Sequence, residues 1–159
     1  MKVKGIIDYD CANSRYPSLT IEFPYCDFKC DKLNGKPVCQ NSALAREPDI
    51  EVTGEQIWKL YEENPLTKAF CFQGLEPFDS MIDMCELIIF IRKIKKCNDL
   101  IIIYTGYEKC EDFVVEKFVR NYHNIIIKWG RYIDGQQPHY DEVLGINLAS
   151  NNQWGEYIE

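Results

Sequence analysis

The sequence has no apolar run approaching the roughly 20 residues that a membrane-spanning helix needs. It is short of basic charge: 18 Lys and Arg stand against 25 Asp and Glu, a formal net charge of −7. Non-specific nucleic-acid binding rests on Lys and Arg at phosphates, so that balance argues against such a partner. There is no signal-peptide pattern either, because Asp8 and Asp10 soon follow Met1-Lys2-Val3-Lys4-Gly5. The chain therefore reads as cytoplasmic, with neither membrane nor nucleic acid as partner. It also lacks an internal linker, a low-complexity segment and a residue-level repeat. With 46% apolar residues, one globular domain over residues 1–159 with one hydrophobic core is expected.

What the sequence does have is cysteine, eight in all. In an exported chain eight would suggest disulfides. In a reducing compartment they are metal ligands or buried thiols. Cys71, Cys85, Cys97 and Cys110 fall in strand-like or helix-like segments and are expected to pack as small apolar residues. Cys26, Cys30 and Cys39 differ: they sit in a polar loop, residues 24–41, that turns through Gly35-Lys36-Pro37. Their spacing, C-x3-C-x8-C, matches neither the usual zinc pairs nor the four-cysteine ferredoxin runs. Three ligands without an obvious fourth imply a centre with one open position. A closed zinc site of Cys11, Cys26, Cys30 and Cys39 is an alternative. Its C-x14-C spacing from Cys11 is unlike a zinc knuckle.

The rest of the chain reads as strands alternating with helices. Short strands are expected at residues 3–8 and, by period-2 alternation, 18–23. Thr53 and Gln56 form a capping box for a helix that Asn64-Pro65 ends. Residues 69–73 read as a strand, and Asp79 or Ser80 caps a long helix with Met81, Met84, Cys85, Ile88 and Ile91 on one face. Residues 100–104 and 125–128 are continuous apolar runs, as in strands buried on both faces. A helix is expected between them, over residues 108–122, and a short strand within residues 143–148. This order predicts βαβ units and a mostly parallel sheet. The cysteine loop, Gly74-Leu75-Glu76-Pro77, Thr105-Gly106-Tyr107 and Trp129-Gly130-Arg131 each follow a strand. Ligands in such sheets bind beyond the carboxyl ends of the strands, so these stretches are expected to share one rim.

Read together, the motifs resemble those of radical S-adenosylmethionine enzymes, specifically the activating proteins of anaerobic (class III) ribonucleotide reductase. Cys26-Asp27-Phe28-Lys29-Cys30 is similar to that family's C-x-F-x-C, and Cys39-Gln40-Asn41 to its Cys-His-Asn. Gly74-Leu75-Glu76-Pro77 resembles Gly-Gly-Glu-Pro, and Tyr104-Thr105-Gly106-Tyr107 resembles Tyr-Thr-Gly-Tyr. Gly130-Arg131-Tyr132 and Ala149-Ser150-Asn151-Asn152-Gln153 are similar to the closing motifs, Gly-x-Phe and Gly-Ser-Ser-Asn-Gln.

The resemblance implies an α/β fold, a partial (β/α) barrel of radical-SAM type. It implies that Cys26, Cys30 and Cys39 hold three irons of a [4Fe–4S] cluster, whose fourth iron binds S-adenosyl-L-methionine. The implied S-adenosylmethionine contacts are Phe28, Val38, Asn41, Gly74, Leu75, Glu76, Thr105, Gly106, Asn151 and Gln153. One electron then cleaves that molecule, and the resulting radical takes hydrogen from a glycine of the partner. The partner implied is a glycyl-radical enzyme, the large subunit of an anaerobic ribonucleotide reductase. The electron donor implied is a flavodoxin- or ferredoxin-like protein. No general acid or base is expected, and His123 and His139 are bystanders. A radical S-adenosylmethionine enzyme acting on another protein or a small molecule is the second reading.

The chain departs from the family in four places. Six residues, 31–36, lengthen the spacing before the third cysteine. Val38 stands where an aromatic is common, and Leu75 where a second glycine is. Lys128 and Trp129 occupy the region of a family-typical Asp.

Overall fold

In the computed structural model, which describes residues 1–109 and 114–158, the chain opens with β1 (Lys2–Val3), β2 (Gly5–Asp10) and β3 (Ser18–Phe23). Two short helices lie in and after the cysteine loop, α1 (Lys29–Asn34) and α2 (Ser42–Arg46). Then come β4 (Ile50–Glu51), α3 (Gly54–Glu63), β5 (Ala69–Gly74), α4 (Met81–Ile89) and β6 (Leu100–Tyr104). The chain ends with α5 (Val114–Val119), β7 (Ile125–Trp129), β8 (His139–Asp141), β9 (Ile146–Leu148) and β10 (Trp154–Ile158).

The protein is α/β, with one six-stranded mixed sheet in the order β10-β7-β6-β5-β3-β2. The inner strands β3, β5, β6 and β7 are parallel, and the edge strands β2 and β10 are antiparallel to their neighbours. Register pairs Glu22 with Gln73 and Tyr104 with Lys128, so the carboxyl ends of the parallel strands form one rim.

Side chains alternate across each strand and divide the core in two. Leu19, Ile21, Phe23, Phe70, Phe72, Ile101, Ile103, Ile125 and Ile127 face the helices, meeting Ile57, Tyr61, Met84, Ile88, Val115 and Val119. Each such burial stabilises by about 1.5–3 kcal/mol. On the opposite face Ala69, Cys71, Leu100, Ile102 and Ile126 pack under Leu144 and Leu148. The tail thus covers the amino-terminal part of that face. Toward the carboxyl ends the same face presents Gln73, Tyr104 and Lys128 to a cavity.

Local signals set the helices. The Thr53 hydroxyl accepts the Gln56 amide at 3.2 Å, and Gln56 Oε1 accepts the Thr53 amide at 2.9 Å, completing the expected capping box. A 3-10 turn, Pro77–Ser80, precedes α4, and a π turn, Phe90–Ile94, follows it. Buried Arg92 closes that end by donating to the carbonyls of Cys97, His123 and Asn124.

Several expectations need correction. The strand expected at residues 3–8 breaks at Lys4, whose amide bonds Glu22 while β1 leaves to pair with β4. Of the helix expected over residues 108–122, the described part that is helical is Val114–Val119; residues 110–113, with Cys110, lie outside the described residues. The strand expected within residues 143–148 begins only at Ile146, because Asp141 and Gly145 make a turn from β8. No sequence expectation covered β10 or the two helices near the cysteines.

Candidate functional site

A half-open cavity of about 300 Å³ lies at the carboxyl rim of the parallel strands. That is the small end of the range for ligand pockets. Cys26, Cys30 and Cys39 all line it. So do Asn41, Gly74, Leu75, Glu76, Thr105, Gly106 and Gln153, together with Lys128, Gly130 and Arg131. The expected common rim is therefore present, and four separate post-strand stretches meet in one space.

The cysteine loop is held by short-range bonds. Phe28 sits at φ 53°, a left-handed conformation that costs a non-glycine residue energy, and its amide donates to Cys26 Sγ at 3.3 Å. Cys30 lies within α1. Asp31 Oδ1 accepts the amides of Val38 and Cys39, each at 2.8 Å, and so folds the insert back toward the third cysteine. Burial pushes the Cys26 thiol up to about 11 and also raises Cys39. In metal-free protein both are neutral thiols at neutral pH, and binding a metal there must release protons.

Glu76 is almost wholly buried and acts as a clamp. Its Oε1 accepts the Phe78 amide at 3.0 Å, and its Oε2 accepts the Gly106 amide at 2.8 Å. One carboxylate thus joins the β5 exit to the β6 exit. Burial raises its pKa to about 7 against these donors, which favour the charged form. Gly74 pairs with Phe23 at the carboxyl end of the β3–β5 ladder. It has φ 98°, and a Cβ there would lie 2.6 Å from the Phe23 backbone nitrogen. Its carbonyl accepts the Asn41 side-chain amide at 2.6 Å, which ties the loop after Cys39 to the β5 exit. Gly106 leaves room for Arg131, whose Cγ a Cβ would meet at 2.9 Å.

Two cations enter this cavity, and sequence reasoning gave neither a role. Lys128 is buried; its Nζ donates to the Gly130 carbonyl at 2.7 Å and lies 5.7 Å from the Tyr104 ring centre. Burial lowers its pKa to about 8. Arg131 lies 3.5 Å from Asp27 Oδ1 and stacks over Tyr107 at 4.8 Å. Burial opposes the Arg131 charge, but Asp27, Cys30 and Glu76 outweigh it. The signal for Lys128 was available in the period of β7: it shares a face with Ile126.

Three expected contacts, Phe28, Val38 and Asn151, do not line the cavity. Asn151 is exposed; its neighbour Asn152 turns inward, donating to the Arg131 carbonyl at 2.8 Å and accepting the Ser150 hydroxyl. Val38 is held through its backbone by Asp31.

Cys26, Cys30 and Cys39 offer three thiols to one cavity, a donor set that could hold an iron–sulfur cluster once deprotonated. Among the described residues, the set whose ligand atoms all lie within 4.8 Å of one another is Cys26, Asp27 and Asp79, not the three cysteines. Cys11 is exposed and does not line the cavity. Lys128 and Arg131 bring basic side chains to the same cavity that the three cysteines line. No described helix is long and apolar enough to cross a membrane. No protein-family model, curated protein or solved structure matches the chain.

Proposed function

We propose that this protein is a radical S-adenosylmethionine activating enzyme with a partial-barrel sheet, acting on an anaerobic ribonucleotide reductase. One observation carries the reading: three thiols and three motif stretches, distant in sequence, line one cavity at the carboxyl rim of a parallel sheet. Four consecutive parallel strands with the helices on one face accord with a partial barrel.

Cys26, Cys30 and Cys39 hold the cluster, and Lys128 and Arg131 balance its charge. When bound, the cluster supplies the electron that cleaves S-adenosylmethionine and so opens the way to a glycyl radical on the partner. Gly74 lets the β5 exit lie against β3 at the cavity wall, since a Cβ there would meet the Phe23 nitrogen at 2.6 Å. Glu76 holds the Gly106 amide in place, and Gln153 closes the wall by donating to the Gly130 carbonyl at 3.2 Å. No side chain is assigned as general acid or base. The half-open mouth suits a loop of a large protein partner, while a flavodoxin- or ferredoxin-like protein would supply the electron to the cluster.

The test is anaerobic reconstitution with iron and sulfide, followed by reduction and electron paramagnetic resonance with and without S-adenosylmethionine. A brown protein whose spectrum shifts on adding that molecule is expected. A colourless, iron-free product overturns the reading. Cofactor cleavage without a glycyl radical on the reductase moves the assignment to another substrate of the same chemistry.

A further inference from the structure

The segment that lengthens the cysteine loop, residues 31–36, is not a free excursion. Its first four residues, 31–34, complete α1, and Gly35, at φ 65°, turns the chain back. Asn34 is the pivot. Its side-chain amide donates to the Cys30 carbonyl at 2.7 Å and to the Tyr132 carbonyl at 3.3 Å. Its Oδ1 accepts the Asp134 amide at 2.9 Å. Lys36 pairs with the Asp134 carboxylate, which also accepts the Tyr132 hydroxyl at 3.2 Å. One half-buried side chain thus joins the second cysteine to a segment about 100 residues away, next to Arg131.

We propose that residues 31–36 are a strap, and that Asn34 is a positioning residue fixing Cys30 and Arg131 relative to each other across the cavity. Two features favour a strap over a loose insert. Both hydrogen-bonding ends of the Asn34 amide are used, and three of its bonds reach main-chain groups, which move only when the backbone moves. The Lys36–Asp134 pair is exposed and adds little; the neutral bonds of Asn34 carry the tie. The strap would keep the cysteine loop ordered before metal arrives and slow the loss of metal afterwards. The retention role rests on the cluster reading above; the tie itself does not.

Hydrogen–deuterium exchange on the full metal-free chain tests the tie. Asn34→Ala is expected to speed exchange of the Asp134 amide about tenfold, as loss of its bond to Asn34 Oδ1 allows local opening. Lys32→Ala, an exposed change in the same helix, is expected to leave it unchanged. Unaltered exchange over residues 132–136 in Asn34→Ala overturns the strap. Retention is tested on proteins reconstituted with iron and sulfide. Iron transfer to a chelator is expected to be about tenfold faster in Asn34→Ala than in Lys32→Ala, with an altered paramagnetic line shape in the reduced state. Equal release rates and identical spectra overturn the retention role. If the unaltered chain takes up no iron, the cluster reading fails while the exchange result still decides the strap.

Discussion

The Tyr107 hydroxyl donates to Asp79 Oδ1 at 2.6 Å, while Asp79 Oδ2 accepts the Asp27 amide at 3.2 Å. The residue after Thr105-Gly106 therefore holds the first turn of the cysteine loop through the start of the helix region that follows Glu76. Tyr107→Phe is expected to lower stability by about 1 kcal/mol. It should also speed exchange at the Asp27 amide, which exchange mass spectrometry reads directly.

Gly74 combines a positive φ with a contact that admits no Cβ. Gly74→Ala is expected to cost at least about 2 kcal/mol, from backbone strain and from the β3 main chain being pushed away. Denaturant unfolding measures the loss. A variant as stable as the parent would show that β3 and β5 can separate freely.

Glu76 gives a pH signature in metal-free protein. Its folded pKa of about 7 lies above the ordinary 4.5, so the folded state binds more protons than the unfolded state between those values. Its contribution is full below about pH 4.5 and is lost as pH rises to about 7, on the order of 3 kcal/mol in all. The difference in stability between the parent and Glu76→Gln should therefore change across this window and level off above it.

Lys128 sets charge against stability. Its folded pKa is depressed to about 8, so its contribution is full above about pH 10.5 and is lost as pH falls to about 8. At neutral pH, Lys128→Met is expected to stabilise metal-free protein by about 2 kcal/mol, roughly 4–8 °C in melting temperature. The same change should lower iron content after reconstitution, because a cation facing the thiolates is gone. Calorimetry and iron assay together check both halves.

The cysteines separate by role. Cys26→Ala, Cys30→Ala and Cys39→Ala are each expected to abolish iron and sulfide uptake with little change in melting temperature. Cys71, fully buried between strands, should behave oppositely: Cys71→Ala is expected to cost about 1 kcal/mol and leave uptake intact. Visible absorption and thermal melting distinguish the two classes.

Much of this arrangement is written locally. The apolar runs at residues 100–104 and 125–128 become strands whatever surrounds them, and Thr53 with Gln56 caps α3 from four consecutive residues. Because parallel strands need crossovers, the same pattern places every post-strand stretch on one rim. That is why the common position of Cys26, Gly74, Thr105 and Arg131 could be read from the chain.

Other features depend on partners far away in sequence. The β10 segment, Trp154–Ile158, contains a glycine and two polar or amphipathic residues, and it becomes a strand by pairing with the exposed edge of β7. The Glu76 carboxylate accepts the Gly106 amide only because folding brings the end of β6 beside it. Asn34 looks like an ordinary turn residue until folding brings residues 132–134 beside it. The sequence alone determined the cysteine spacing, the inner parallel strands and their common rim, since these follow from backbone period and short-range bonding. Tertiary structure alone decided which polar groups face the cavity and which are consumed in holding it, because a buried donor or acceptor takes whichever partner the packed backbone brings within reach.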